Sequence, residues 1–358
     1  MPRRPTVYDV AERAGVSIAT VSFAFRQPQR VRESTRDSVL EAAKELGYVP
    51  SASARGLARG TTGALGLYSF DLMLGNQDPL PENDLLEAPH ISLDPRLFPL
   101  YVDEVERGFA LECRTLGRAL LLDSGAPLSS DVYDIAGRVD GLAVFPGPHR
   151  PETLHTVAQS IPVLAFSTVV DDAPFSHVHV DNHAGIDHLL RHLAQTHDVR
   201  DAAFVGNLSM HEFQERLASF EALRETYFPE SVPTDSSALL AELAGPEWPE
   251  ALGELIDARH LPRALVCEND QRALEVLDLL IAKGVKVPSD VIVTGFDGIL
   301  AGRLSNPTLT TVRQPLETMG RLAARLLSEQ AATRDRTPTT HILPLQPDFR
   351  GSCGCSDH

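Results

Sequence analysis

The stretch TVYDVAERAGVSIATVS, Thr6 to Ser22, leaves the chain few ways to fold. Thr6 with Asp9 three residues on is a capping-box start for a helix. Val7, Val10, Ala11 and Ala14 then recur at helical spacing. Gly15 stops that helix, Val16 packs the turn, and Ser17 caps a second helix carrying Ile18, Ala19, Thr20, Val21, Ser22 and Phe23. Two helices joined by a short glycine-containing turn make a helix-turn-helix, whose second helix enters the DNA major groove. Ser34 with Asp37 predicts the cap of a third helix, which places Val39, Leu40, Ala43 and Leu46 on one face and stops at Gly47. A small helical bundle with another task has the same local pattern, so the rest of the chain has to decide.

Charge separates this end from the remainder. Residues 1–60 hold ten Lys/Arg against six Asp/Glu, a net +4, and an overall −17 then leaves −21 on the rest. A basic head on an acidic body fits a protein that meets phosphate at one end only, and the body disfavours unspecific wrapping of nucleic acid. The four cysteines, Cys113, Cys267, Cys353 and Cys355, are too scattered for a disulfide framework, and the first two sit in apolar surroundings as buried small hydrophobes. No stretch has signal-peptide form or the length to span a membrane, so a cytoplasmic protein with no membrane partner is expected.

From Gly63 onward, strands alternate with helices. Short apolar runs at 63–68, 119–123, 141–145, 163–166, 177–180, 202–205, 264–267, 291–295 and 341–345 read as strands. Helical patterns at 101–116, 132–138, 152–159, 182–195, 216–227, 248–258, 271–283 and 313–329 separate them. The fold class is therefore α/β, with parallel sheets covered on both faces behind the helix-turn-helix headpiece. Residues 69–100 interrupt the alternation with a Pro-, Asp- and Glu-rich stretch that reads as an ordered loop at best, a lid or a surface insertion.

A nicotinamide enzyme, the first rival for such an alternation, needs G-x-G-x-x-G between a strand and a helix. GTTGALG at 60–66 has the wrong spacing and precedes the first strand. There is no P-loop and no G-x-S-x-G elbow, so no catalytic residues and no cofactor are expected. Histidines cluster at His177, His179, His183, His188, His192 and His197. His188 and His192 share a helix face at zinc-binding spacing, yet no third ligand is fixed, and an exposed polar face is the plainer reading. Cys353-Gly-Cys355 has soft-metal or strained-link chemistry, but a reduced, mobile tail is expected there and no metal is assigned.

DVAERAGVSIATVS followed by ELGYVPSASARGLARG resembles the LacI/GalR family of bacterial transcription regulators. VDGLAVFP, IPVLAF, VDNHAG, ERLASFEAL, CENDQRALEVLDLLIAKGVKVPSDVIVTGFDG and NPTLTTVRQPLETMGRLAARLL extend the resemblance over nearly the whole chain. It implies a headpiece at 1–50, a hinge at 51–62, a two-lobed, Rossmann-like core of the periplasmic-binding-protein type at 63–350, and a flexible tail at 351–358. The lobes would comprise about 63–179 with 312–338 and about 180–311 with 339–350, crossing near 180, 311 and 338. Ser51–Arg59 would fold into a helix on DNA, with Leu57 as the minor-groove lever and Ala54 as the small residue beside it.

Carried over residue by residue, Ile18 and Ala19 would touch base edges, and Phe23 stands where many relatives have Arg. Thr6, Tyr8, Ser17, Thr20 and Ser22 become candidate phosphate contacts. Arg216, Asn269 and Asp297 would face an effector, with Phe145 and Ser167 on the opposite wall and the 69–100 insertion bringing Tyr68, Phe70 and Phe98 within reach. Each has a bland alternative: Arg216 and Asp297 pair with each other, and Asn269 caps a helix. Phe145, Ser167 and Gly298 depart from the family's usual polar residues. The implied protein is a homodimeric repressor on a pseudo-palindromic double-stranded operator, modulated by a small polar effector, most simply a sugar. An effector-insensitive or protein-controlled repressor, or a solute-binding protein, are the alternatives.

Overall fold

The computed structural model describes residues 3, 5–49, 61–70, 100–125, 131–145, 151–167, 172–207, 210–229 and 242–356. The hinge with Ala54 and Leu57, residues 71–99 with Phe98, and the side chain of Phe70 lie outside them. Two compact units result, Met1–Thr62 and Gly63–His358.

The headpiece has three helices: α1 Val7–Ala14, α2 Ile18–Arg26 and α3 Glu33–Leu46, with a 3-10 turn at Pro28–Arg30. Its start is as expected: Asp9 Oδ2 accepts from the Thr6 backbone N–H at 2.6 Å and from the Thr6 hydroxyl at 2.7 Å. These bonds, the hydroxyl's first, hold the Asp9 carboxyl below its ordinary range. Gly15 turns the chain at φ 64°, and Ser17 Oγ caps α2 by accepting from Thr20 N at 3.1 Å. The third helix departs from expectation. It begins at Glu33 after Arg32, and Asp37 pairs with Arg36 instead of sharing a capping box with Ser34. One acidic residue in the first turn, Glu33, supplies the dipole partner there. Leu40 is 41% exposed and Ala42 takes the inner position. Val10, Ala11, Val21, Ala24, Val39, Ala42 and Ala43 form the small core, with Phe25 and Tyr48 edge to face at 6.1 Å.

The second unit carries, in order, β1 Ala64–Phe70, α4 Leu100–Thr115, β2 Ala119–Gly125, α5 Asp131–Ala136, β3 Leu142–Phe145, α6 Pro151–Ala158, β4 Val163–Phe166 and β5 Ser176–Val180. Then follow α7 Asn182–His197, β6 Ala202–Val205, α8 His211–Tyr227, α9 Trp248–Asp257, β7 Ala264–Cys267, α10 Asp270–Ala282 and β8 Ile292–Thr294. The chain closes with α11 Leu300–Leu304, β9 Thr311–Arg313, α12 Leu316–Thr333, β10 Thr340–Leu343 and β11 Gln346–Asp348. The first lobe is a parallel sheet of order β10-β5-β4-β3-β1-β2, and the second is β6-β7-β8, also parallel.

Alternation along the first sheet sorts its side chains. Leu65, Leu67, Phe145 and Phe166 face the main core with α4 and α12, whereas Tyr68, Leu142 and Val144 face a second cluster under α5 and α6. Every residue of β6, β7 and β8 is buried, as expected for strands covered on both faces.

Three expectations need correction. The third crossing lies past residue 343, not near 338, because Thr340–Leu343 pairs with β5 and completes the first sheet. That strand covers an edge that β5 would otherwise expose. The helix expected from Arg216 begins a turn earlier, at His211. The tail is packed, not loose: Gly351–Cys353 forms a 3-10 turn in which Ser352 is 0% and Cys353 2% exposed. Ser352 Oγ donates to Val293 O at 2.6 Å and accepts from Thr310 N at 2.8 Å, tying the tail to β8 and to the segment before β9.

Helices α4 and α12 cross through two glycines. A Cβ on Gly320 would overlap Val105 O, and one on Gly108 would overlap Glu317 O. Neither obstacle is a flexible side chain, so the helices would have to separate. Gly320→Ala should therefore lower the stability of the core unit by about 1–3 kcal/mol or more. Thermal unfolding checks this, and an unchanged transition would contradict the close crossing.

Candidate functional site

Helix α2 turns Val21 and Ala24 inward at 1% and 4% exposure, which leaves Ile18, Ala19 and Phe23 on its outer side. Thr20 and Ser22 are half-buried, and Tyr8 stands out from α1. The Thr6 hydroxyl gives its proton to Asp9, so a phosphate would have to compete for it. Ser17 and Thr20 bond each other through their hydroxyls at 2.9 Å. Sequence reasoning missed Arg30: its guanidinium lies 5.3 Å from the Phe23 ring centroid, placing a cation over the position where the resemblance loses one.

In the second unit, a group of polar residues meets at the carboxyl ends of the strands, the usual ligand position in open α/β sheets. Arg216 of α8 is 2% exposed. Its Nε donates to Asn182 Oδ1 at 2.9 Å and its Nη1 to Glu268 O at 2.6 Å, with Asp297 Oδ1 3.4 Å away. The guanidinium lies 3.8 Å from the Phe296 ring centroid, so its plane is fixed as well as its charge.

Asp297 follows β8 at φ 120°, outside the range most side chains adopt. Its N–H donates to Val312 O and its O accepts from Gln314 N, both at 2.9 Å, while Oδ1 accepts from Gln314 Nε2 at 2.7 Å. The strained residue is thus held by the crossing strand. Burial pushes its carboxyl up to about 6 against the pull of Arg216 and Gln314. Gly298 follows at φ 75°, where a side chain would collide with Arg313, which accounts for glycine at this departure from the family pattern. Asn269 fulfils the bland alternative: its Oδ1 caps α10 by accepting from Arg272 N at 2.8 Å.

The residues expected on the opposite wall belong to the first lobe. Phe145 stacks on Phe166 with centroids 4.9 Å apart and meets Tyr101 edge-on at 6.2 Å. Tyr101 and Ser167 join through their hydroxyls, and Ser167 holds φ 56°. Burial first, then the charges of Glu212 and Asp297, raises the Tyr101 phenol, with Ser167 and Arg216 opposing. Tyr101 thus shares its hydrogen bond with Ser167 and its ring contact with Phe145. Tyr68 lies elsewhere: it is 0% exposed within the cluster under α5 and α6, on the sheet face away from Phe145.

Glu212 and Glu268, also missed in the sequence, lie beside Arg216, the first one turn earlier on α8 and the second through its backbone oxygen. Burial, partly offset by nearby arginines, pushes each up to about 7. Glu268 accepts from Asn207 N, and Oε2 of Glu212 is buried with no hydrogen-bond partner among the described residues. Such an oxygen is poised for a ligand hydroxyl or amine.

A pH dependence follows. The folded Glu212 binds its proton more tightly than the unfolded chain does, so stability should fall as pH rises from about 4.5 through about 7. Glu212→Gln should remove up to about 3 kcal/mol of that loss at pH 8 and change little at pH 5. Melting curves of both proteins across that range check it, and parallel curves would refute a strained carboxylate at this position.

Residues 6–51 match the bacterial regulatory proteins of the lacI family, and residues 185–353 match the periplasmic binding protein-like domain. The HTH-type transcriptional repressor PurR of Haemophilus influenzae (strain PittEE) is 29% identical over 341 residues, covering 92% of each chain. The HTH-type transcriptional regulator GalR of Salmonella typhimurium (strain SL1344) is 27% identical over 345 residues, 94% of this chain and 93% of that one. Among solved structures, the lac repressor dimer bound to operator and the anti-inducer ONPF has a TM-score of 0.74 at 22% identity, covering 98% of this chain and 99% of that one. The transcriptional regulator CelR–cellobiose complex has a TM-score of 0.63 at 24% identity, covering 98% and 100%. Both structural likenesses speak for the fold. Headpiece, two-lobed core and relatives matched along nearly their full length agree, and the chain belongs to the lacI family of bacterial regulatory proteins, which are DNA-binding transcriptional regulators.

Proposed function

We propose that the chain represses transcription in the cytoplasm as a homodimer on a two-fold operator, and that a small carbohydrate held between the lobes tunes its grip. The observations that carry the effector reading are the Arg216 cluster, a fixed guanidinium with Asp297 and a Glu212 oxygen without a hydrogen-bond partner among the described residues, and the Tyr101, Phe145 and Ser167 group of the first lobe. Aromatic faces beside fixed hydrogen-bonding groups suit a polyhydroxylated ring. The CelR structure of the same fold holds cellobiose, and another lacI-type structure, from Enterococcus faecium, holds ribose.

Dimerisation is supported by an apolar groove of about 470 Å³ lined by Leu274, Leu277, Leu300 and Leu304, with Ile281 53% and Leu304 76% exposed. Sugar binding would alter the relation of the lobes across the dimer and so the spacing of the two segments that lead to the headpieces. This is the work of a binding protein, and no reaction is assigned to the cleft.

The test has two arms. Sites selected from random DNA should be two-fold symmetric; asymmetric sites would remove the dimeric docking. A thermal-shift screen of sugars and other metabolites, with each hit carried into operator gel shifts, should find a carbohydrate that changes operator affinity. A screen in which only non-carbohydrates bind the cleft would replace the sugar.

A further inference from the structure

The tail that was expected to be loose brings two cysteines against α7. His192 and His197 are separated by four residues at the carboxyl end of that helix, and Cys353-Gly354-Cys355 lies over them. The ligand atoms of all four, two imidazole nitrogens and two sulfurs, lie within 4.8 Å of one another. His192 Nε2 is 3.0 Å from His197 Nε2, 3.6 Å from Cys353 Sγ and 3.5 Å from Cys355 Sγ, and Cys355 Sγ is 3.6 Å from His197 Nε2. We propose that His192, His197, Cys353 and Cys355 form a structural site for a divalent, thiophilic metal, zinc in the first place, which staples the C-terminal tail to α7.

Hydrogen bonding alone accounts poorly for this convergence. An imidazole nitrogen carries either one proton or one lone pair, so Nε2 of His192 has a single hydrogen bond to offer. Three polar atoms crowd it. A shared cation satisfies all of them at once. Zinc–nitrogen bonds of about 2.0–2.1 Å and zinc–sulfur bonds of about 2.3 Å give a tetrahedron with N···N edges of about 3.3 Å and N···S edges of about 3.6 Å. The three N···S separations of 3.5–3.6 Å fall on that edge, and the N···N separation is only slightly short of it.

The surroundings are built to hold this arrangement. Gly354 at φ 95° reverses the chain between the two cysteines so that both sulfurs face α7. Arg350 O accepts from the N–H of Cys353 and of Cys355, each at 3.2 Å, closing the turn. Phe349 stacks on the His192 ring with centroids 3.6 Å apart and planes at 4°, fixing the ring's orientation. Two thiolates balance a divalent ion, so the loaded site is neutral, as a pocket containing a cysteine only 2% exposed requires. Binding releases the two thiol protons to solvent and involves no electron transfer. Because Ser352 is bonded to Val293 and Thr310, a metal here would anchor the segment that leads into β9 and Asp297.

The full chain, prepared without a histidine tag and kept reduced, should carry about one zinc per molecule by elemental analysis. Cobalt added to the chelator-stripped protein should give intense tetrahedral d–d bands and a thiolate-to-cobalt charge-transfer band. Cys355→Ser and His197→Gln should each lower zinc affinity roughly tenfold or more and remove or weaken those bands. Chelation should lower the melting temperature of the wild type and leave that of Cys355→Ser unchanged. Reduced wild-type protein without bound zinc and without a tetrahedral cobalt spectrum would overturn the site. A mass two hydrogens lighter before reduction would then identify a Cys353–Cys355 disulfide, and an unchanged mass would leave a hydrogen-bonded cluster. None of these readouts uses DNA or sugar, so the outcome is independent of the regulatory reading.

Discussion

Arg216→Ala should abolish effector binding and weaken the fold together. The guanidinium satisfies Asn182, Glu268 O and Asp297 and stacks on Phe296, all within a region almost without solvent. Removing it strands a buried carboxylate whose pKa burial already raises, so Asp297 should take up a proton at neutral pH. Breaking a buried pair from one side costs about 3–5 kcal/mol, and the same loss in binding corresponds to a roughly hundredfold or greater fall in affinity. Arg216→Lys keeps the charge but cannot meet three partners in one plane, so it should retain most of the stability and little of the affinity. Calorimetry with the identified effector and melting curves read the two effects separately. If both variants bind the effector as tightly as the wild type, the cleft is not the effector site.

The parts of this protein that were legible in the sequence are those whose causes are local. The Thr6–Asp9 capping box, the Ser17 cap and Gly15 lie within a few residues of what they determine, and they stand as expected. Strands β3, β4, β6, β7 and β8 were legible because burial on both faces demands unbroken apolar runs, whereas the short β9 and β11 were not read as strands. The turn before Arg216 was not, since HEFQE has no apolar stripe, and that hid Glu212. Asn269 has the structural use its place at a helix start allows, since its Oδ1 caps α10. Tyr68 fails because a strand's alternation turns it to the far side of the sheet. Tyr101 belongs to the other lobe and follows the long insertion, so nothing near Arg216 in sequence announces it. The pairing of His192 and His197 with Cys353 and Cys355 spans most of the second half of the chain. Only packing of the tail reveals it, and a short tail rich in Gly and Ser looks mobile by composition.

Ala19→Glu should separate folding from DNA binding in the headpiece. Ala19 is the second residue of α2 and is exposed, so a longer side chain meets no obstacle within the headpiece. A carboxylate in the first helical turn interacts favourably with the helix dipole, by about 0.3–1 kcal/mol, so the headpiece should be as stable as before or slightly more so. Against a phosphate-lined groove the same charge is repelled, and like charges forced together across an interface cost several kcal/mol. Operator affinity should fall roughly a hundredfold or more. Ala19→Gln has the same size without the charge and reports the steric share alone, so the gap between the two variants is electrostatic. That gap should narrow as salt is raised, because screening shortens the reach of the added charge. Fluorescence anisotropy on operator DNA at several salt concentrations measures it, with headpiece melting as the control. If Ala19→Glu binds operator like the wild type at low salt, α2 does not lie in the groove, and the outer face of Ile18, Ala19 and Phe23 loses its assigned role.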